Sequence, residues 1–162
     1  MKCRAVLAFS REEKDSLLGS MFYEDFEVGH VYEHPIGRTM QPADNVWLSL
    51  LTMNTNPLHF DYHYSAKTEF GKPLVDSCIT LAILSQDGFM NLGWDEVIMP
   101  HPVFDGDTIY SKSEVLEKRE SETHSDRGVV LVKTTGVNQN GVTVMEFKRT
   151  FMAYKKPQTQ SS

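Results

Sequence analysis

The chain has 162 residues, and its 16 basic and 22 acidic side chains give a formal net charge of −6. That length suits one domain, able to bury about 70% of its extended surface without staples. A composition of 40% hydrophobic and 23% charged residues excludes a disordered or fibrous chain. The acidic balance, with no Lys/Arg tract, excludes nucleic acid as the main partner and leaves room for an anionic small ligand held by a local basic spot.

Two cysteines, Cys3 and Cys78, cannot form a disulfide framework, which points to a reducing compartment. The first apolar run ends by Phe9, before Ser10-Arg11-Glu12-Glu13-Lys14-Asp15, and is too short for a signal peptide. No apolar stretch approaches the roughly 20 residues of a membrane span. A cytoplasmic protein with no membrane partner is expected. Residues 1–20 read as an N-terminal extension, 21–155 as one domain and 156–162 as a flexible tail.

Within the domain, Val31 to Arg38 reads as a strand. Pro42 to Thr52 reads as a short, largely buried helix, with Pro42 at its first position and Asp44 at the positive end of its dipole. Asn54-Thr55-Asn56-Pro57 should stop it, because residues before proline avoid the helical region. A second helix is predicted over Val75 to Leu92, capped by Asp76 or Ser77 and ended by Gly93. From Val97 onward the pattern becomes strands, over Asp107 to Lys118, Gly128 to Asn138 and Val142 to Tyr154. Asn140-Gly141 predicts a type I′ hairpin between the last two. Met145, Phe147 and Phe151 alternate on one strand face and read as core, with Arg149 on the same face, either reaching a pocket or pairing with a buried acid. The sum is an α+β layer architecture, an antiparallel sheet of four or more strands wrapped around one apolar helix.

The chemistry is concentrated in Asn54-Thr55-Asn56-Pro57-Leu58-His59-Phe60-Asp61 and in Phe70-Gly71-Lys72-Pro73-Leu74-Val75-Asp76-Ser77. His59 can transfer protons near neutral pH, and a backbone N–H at a helix amino end is a preorganised donor for developing negative charge. Together these segments resemble the signature of the MaoC-like dehydratases, or (R)-specific enoyl-CoA hydratases: Asp-x-Asn-Pro-aliphatic-His, then Gly-x-Pro-aliphatic-x-His-Gly at a helix start. Pro102-Val103-Phe104-Asp105-Gly106-Asp107-Thr108 is similar to that family's way into a strand, and the resemblance runs from about Phe22 to Tyr154. It implies a hotdog fold, with the active site between the Asn-Pro-x-His loop and the amino end of the central helix.

Matched residue by residue, the resemblance makes His59 the catalytic histidine and gives the backbone N–H of Ser77 the oxyanion role. Asn54 stands where the family has a catalytic aspartate, and Asp76 where it commonly has a histidine. Asn56, Pro57, Asp76 and Arg38 are the expected substrate contacts, Arg38 toward a second substrate carboxylate. The longer pattern Leu51 to Asp61 resembles the branch acting on mesaconyl-CoA, methylmalyl-CoA and itaconyl-CoA, with Gly93-Trp94-Asp95-Glu96-Val97 and Asp126-Arg127-Gly128 pointing the same way. The expected function is reversible hydration of a short α,β-unsaturated acyl-CoA, with CoA part of the substrate, no cofactor, and a homodimer whose groove lies between subunits.

The same residues have plainer readings. His59 can be a turn histidine, Asn54 an Asx-turn residue and Ser77 a cap. His59 and His63 lie four apart, but no glutamate completes a zinc motif and no third ligand is evident, so metal is not expected. Cys78 is either an activated thiol at a helix start or a small buried filler. Asp105 and Asp107 read as a turn. Lys118, Arg119, Arg127 and Lys148 are available for CoA phosphates, and the sequence does not choose among them. With Asn54 in place of an acid, a hotdog thioesterase and a non-catalytic acyl-CoA-binding module remain alternatives to the hydratase.

Overall fold

The computed structural model describes residues 21–85 and 88–157; the extension 1–20 and residues 158–162 of the tail lie outside it. After a 3-10 turn at Tyr23–Asp25 come β1 (Val31–Thr39), α1 (Pro42–Thr52), a second 3-10 turn at Pro57–His59 and the short α2 (Tyr62–Ser65). Then follow α3 (Ser77–Leu84), β2 (Met90–Ile98), β3 (Thr108–Glu120), β4 (Arg127–Val137) and β5 (Thr143–Tyr154). The strands form one antiparallel sheet in the order β1-β3-β4-β5-β2.

The period of two that marks a half-buried strand is visible in β5, where Met145, Phe147, Arg149, Phe151 and Ala153 are buried and the residues between them are not. Helix α3 lies against this face: Ile79, Leu81 and Ile83 pack on a cluster that includes Leu84, Val144, Met145 and Phe147. Its last turn approaches β4 so closely that a Cβ on Gly136 would lie 2.5 Å from a Leu84 methyl, which only glycine permits without repacking. Arg149 crosses the Phe151 ring at 4.7 Å, and its Nη1 donates to the Ser85 carbonyl at 2.9 Å. Its charge therefore sits at the negative end of α3.

Three expectations need correction. Helix α1 is not largely buried: its buried residues are Asn45 and Ser49, while Val46, Trp47, Leu50 and Leu51 are exposed. The second helix covers Ser77–Leu84 rather than Val75 to Leu92, and Asp76, not Ser77, is its N-cap, accepting from the Cys78 N–H at 2.8 Å. Met90, Leu92 and Gly93 belong to β2. Gly88, at φ +77°, lies just before that strand, and so short an apolar run carries no decisive period. The β4–β5 hairpin is not type I′. Of Asn140 and Gly141 only Gly141 has positive φ, at +75°, and the Asn138 N–H donates to the Val142 carbonyl, leaving a three-residue loop with glycine in the left-handed position. At the start of the expected tail, the Lys156 N–H donates to Glu24 and its Nζ pairs with Asp25 at 2.5 Å.

Strand β2 is at the edge of the sheet, and eight of its nine residues are exposed, Met90, Leu92, Trp94, Val97 and Ile98 among them. Ser77, Cys78 and Ala82 on α3 are exposed as well. Among the described residues no helix is long and apolar enough to cross a membrane.

Candidate active site

Helix α1 ends where Met53 takes a left-handed conformation, φ 55°, and returns its N–H to Ser49. This turn, with the Asn54 N–H also on the Ser49 carbonyl at 3.0 Å, aims the following segment at the start of α3. Asn56 caps the Pro57–His59 turn by accepting from the Leu58 N–H, so the Asn-Pro pair is what bends the chain. The loop is then tied to the strand-like approach of α3 by the Leu74 N–H on the Leu58 carbonyl, 3.2 Å.

His59, Asn54 and Asp76 meet there. His59 Nδ1 lies 2.8 Å from the Leu74 carbonyl. A carbonyl only accepts, so the neutral ring carries its proton on Nδ1 and presents a bare Nε2. That Nε2 is 3.9 Å from Asp76 Oδ2, with both side chains about nine-tenths buried. The same Oδ2 accepts from Asn54 Nδ2 at 2.9 Å, while Asn54 Oδ1 accepts from the Asn56 N–H at 3.0 Å. Asp76 Oδ1 takes the Cys78 N–H, and the Asp76 carbonyl takes that of Ile79. Ser77 is thus the first residue of α3 and exposed, and its amide N–H is one of the helix's donors with no intrahelical acceptor.

Asn45 is a site residue that sequence reasoning missed. It is 1% exposed, accepts from the Asp76 N–H at 2.9 Å and donates to the Leu74 carbonyl at 3.1 Å. One buried amide of α1 thereby fixes both the peptide that holds His59 and the residue that faces it. The available signal was an amide early in α1, with nothing local to name its partners.

Other expected residues lie elsewhere. Arg38 pairs with Asp44 at 2.6 Å and also donates to the Thr39 carbonyl, so its guanidinium is engaged at the start of α1. Burial acts to raise the Asp44 carboxyl, and the Arg38 hydrogen bond, the Gln41 N–H and the Arg38 charge outweigh it, holding the group below its ordinary value. Cys78 is exposed rather than a buried filler. Partial burial of its sulfur and the adjacent Asp76 carboxylate push the thiol up, away from nucleophile activation. His63 accepts from Lys67 at 2.9 Å, and Asp107 accepts from the Phe104 N–H across a turn with Gly106 at φ +89°. Among the basic candidates, Lys118 holds the Phe26 carbonyl, Arg127 pairs with Asp126, and Lys148 with Glu96. Lys72, beside the start of α3, rides over the Phe104 ring at 4.3 Å.

A cavity of about 240 Å³ opens beside the amino end of α3, between Leu74, Val75, Ser77 and Thr80 on one side and Val103 and Met145 on the other. Its lining is largely apolar. His101 is the ionisable side chain among its described lining residues, with Nδ1 2.8 Å from the Thr143 carbonyl. Leu74 lines this cavity and its carbonyl holds His59, whereas His59, Asn54 and Asp76 are not among the described lining residues.

Comparison with known proteins bears on the family and the fold. The chain is 34% identical over 119 residues to a beta-methylmalyl-CoA dehydratase of Chloroflexus aurantiacus, covering 69% of this chain and 34% of that protein. It is 27% identical over 143 residues to a mesaconyl-CoA hydratase of Cereibacter sphaeroides, covering 83% of this chain and 41% of that one. It therefore spans little more than a third of the length of these curated relatives. Among solved structures, a MaoC-like dehydratase from Rhodospirillum rubrum superposes with a TM-score of 0.74 at 22% identity, covering 85% of this chain and 99% of the other, which shows a shared hotdog fold. The MaoC like domain family matches residues 25–138. With a five-stranded sheet wrapped on α3 and the Asn-Pro-Leu-His turn docked at its amino end, this chain belongs to that family.

Proposed function

We propose that the chain catalyses reversible hydration of a short α,β-unsaturated acyl-CoA thioester. The observation that carries this reading is the bare Nε2 of His59, held beside the amino end of α3 by the Leu74 carbonyl. His59 transfers the proton between water and the α-carbon. The Ser77 N–H, unclaimed within α3, receives the thioester oxygen as it becomes enolate-like. Asn54 orders the polar end where water attacks, and Asn56 and Pro57 set the wall beside it. The reaction needs a base, a proton and an oxyanion donor, so no metal or redox cofactor enters, and CoA arrives within the substrate.

The acyl group we favour is a branched dicarboxylyl such as mesaconyl or itaconyl. The names of the two curated relatives support it. We further propose a homodimer in the cytoplasm. The exposed apolar edge at β2 and the exposed face of α3 support pairing with a second copy. The test is a panel of crotonyl-, mesaconyl- and itaconyl-CoA. Loss of the enoyl-thioester absorbance without free thiol is expected. Thiol release would make the chain a thioesterase, and tight binding without turnover a binding module.

A further inference from the structure

We infer that Asp76 supplies the second group on the attacking water, so that the water-activating pair is His59 with Asp76, and Asn54 acts by holding that carboxylate. The catalytic part of this inference rests on the hydratase reading above. His59 Nε2 and Asp76 Oδ2 are 3.9 Å apart, too far for a direct hydrogen bond and near enough for one oxygen atom to reach both. Both side chains are nearly buried, where a shared water is held by few alternatives. Asp76 cannot swing away. Its Oδ1 takes the Cys78 N–H, its Oδ2 takes Asn54 Nδ2, and its N–H is fixed by the buried Asn45.

The amide at position 54 thereby has a stated purpose. Asn54 Oδ1 already accepts from the Asn56 N–H, so its Nδ2 is turned toward Asp76. An aspartate at 54 would instead face the Asp76 carboxylate as a like charge at about hydrogen-bond distance. The acid contributed by the start of α3 and the amide contributed by the loop are therefore complementary.

The step balances. Water donates one hydrogen bond to Asp76 Oδ2 and gives its other proton to His59 Nε2 as its oxygen bonds to the β-carbon. The π electrons move to the α-carbon and the thioester oxygen, against the Ser77 N–H. The imidazolium, facing Asp76, then returns that proton to the α-carbon. The water O–H bond is broken, C–O and C–H bonds form, and His59 ends neutral.

The test compares Asp76→Asn with the reciprocal exchange Asn54→Asp/Asp76→Asn. Asparagine caps a helix about as well as aspartate, though its Nδ2 would face Asn54 Nδ2 and lower the melting temperature, so Asp76→Asn is expected to remain folded while kcat/KM falls roughly 100-fold or more. The exchange restores one acid and one amide to the pair, and is expected to recover at least about tenfold of that loss. Activity of Asp76→Asn within roughly threefold of the parent, or an exchange no better than the single variant, would overturn the inference. A crystal structure of the parent chain reads the same pair without turnover, and an ordered water within about 3.2 Å of both Nε2 and Oδ2 is expected. An empty gap, or direct contact between the two side chains, would also overturn it. A parent that hydrates none of the thioesters, with the water nonetheless in place, would sink the hydratase reading while leaving the paired water site standing.

Discussion

Strand β5 and the segment from Asn54 to Ser77 both determine where α3 sits, and they are held by different forces. Strand β5 buries Val144, Met145, Phe147, Phe151 and Ala153, and its place is set by apolar surface removed from water. Between Asn54 and Ser77 only Ser65, Pro73, Val75 and Asp76 are buried. That segment is instead fixed by directional bonds: His59 on the Leu74 carbonyl, Asn54 on Asp76, Ser65 on the Leu58 carbonyl, and Asp76 on Asn45. The sheet supplies stability without chemistry. The loop supplies positioned polar groups at little apolar gain.

The two regions should therefore separate under mutation. Phe147→Ala in β5 is expected to cost about 3–5 kcal/mol of unfolding free energy, read by denaturant titration, a loss that leaves the loop chemistry addressed only through folding. His59→Ala should do the reverse. Turnover is expected to fall roughly 100-fold or more, while the melting temperature stays close to the parent's; an equal loss of stability would mean that the ring serves the fold rather than the reaction. The smallest effect belongs to Asp44. Its carboxyl lies below its ordinary value in the folded chain, so its contribution is present above the ordinary carboxylate range and lost as pH falls through the lowered value. Asp44→Ala should lower stability by under about 1 kcal/mol at neutral pH, and the gap to the parent should close in acid. A gap that stays constant with pH would assign the effect to helix capping alone.

The same division explains what the sequence made legible. Strands β1, β3, β4 and β5 and helix α1 lie within one or two residues of their expected limits, because apolar period and proline chemistry are local signals. The end of α3 and the start of β2 were run together because Phe89 and Met90 fall near helical spacing from Ile79 and Ile83, although the polar break Ser85-Gln86-Asp87-Gly88 lies between them. The turn at Gly141 was visible, whereas its type depended on Asn138 pairing with Val142 across it. At the site, the Asn-Pro-Leu-His turn and the helix start were readable as motifs. The amide of Asn45, acting on a residue 31 positions away, and the Asp76 oxygen that accepts from Asn54 and faces His59 at 3.9 Å were not, because those partners are brought together only by folding.

The central claim is that one imidazole, seated at the amino end of α3, carries a proton from water to the α-carbon of a conjugated thioester. Hydration of mesaconyl-CoA in D2O tests it directly, with the product read by mass spectrometry and NMR. The account predicts a β-hydroxy thioester with one deuterium at the α-carbon, formed by the parent chain and lost with His59→Ala. An unchanged enoyl thioester, or a product formed equally well without His59, would contradict it.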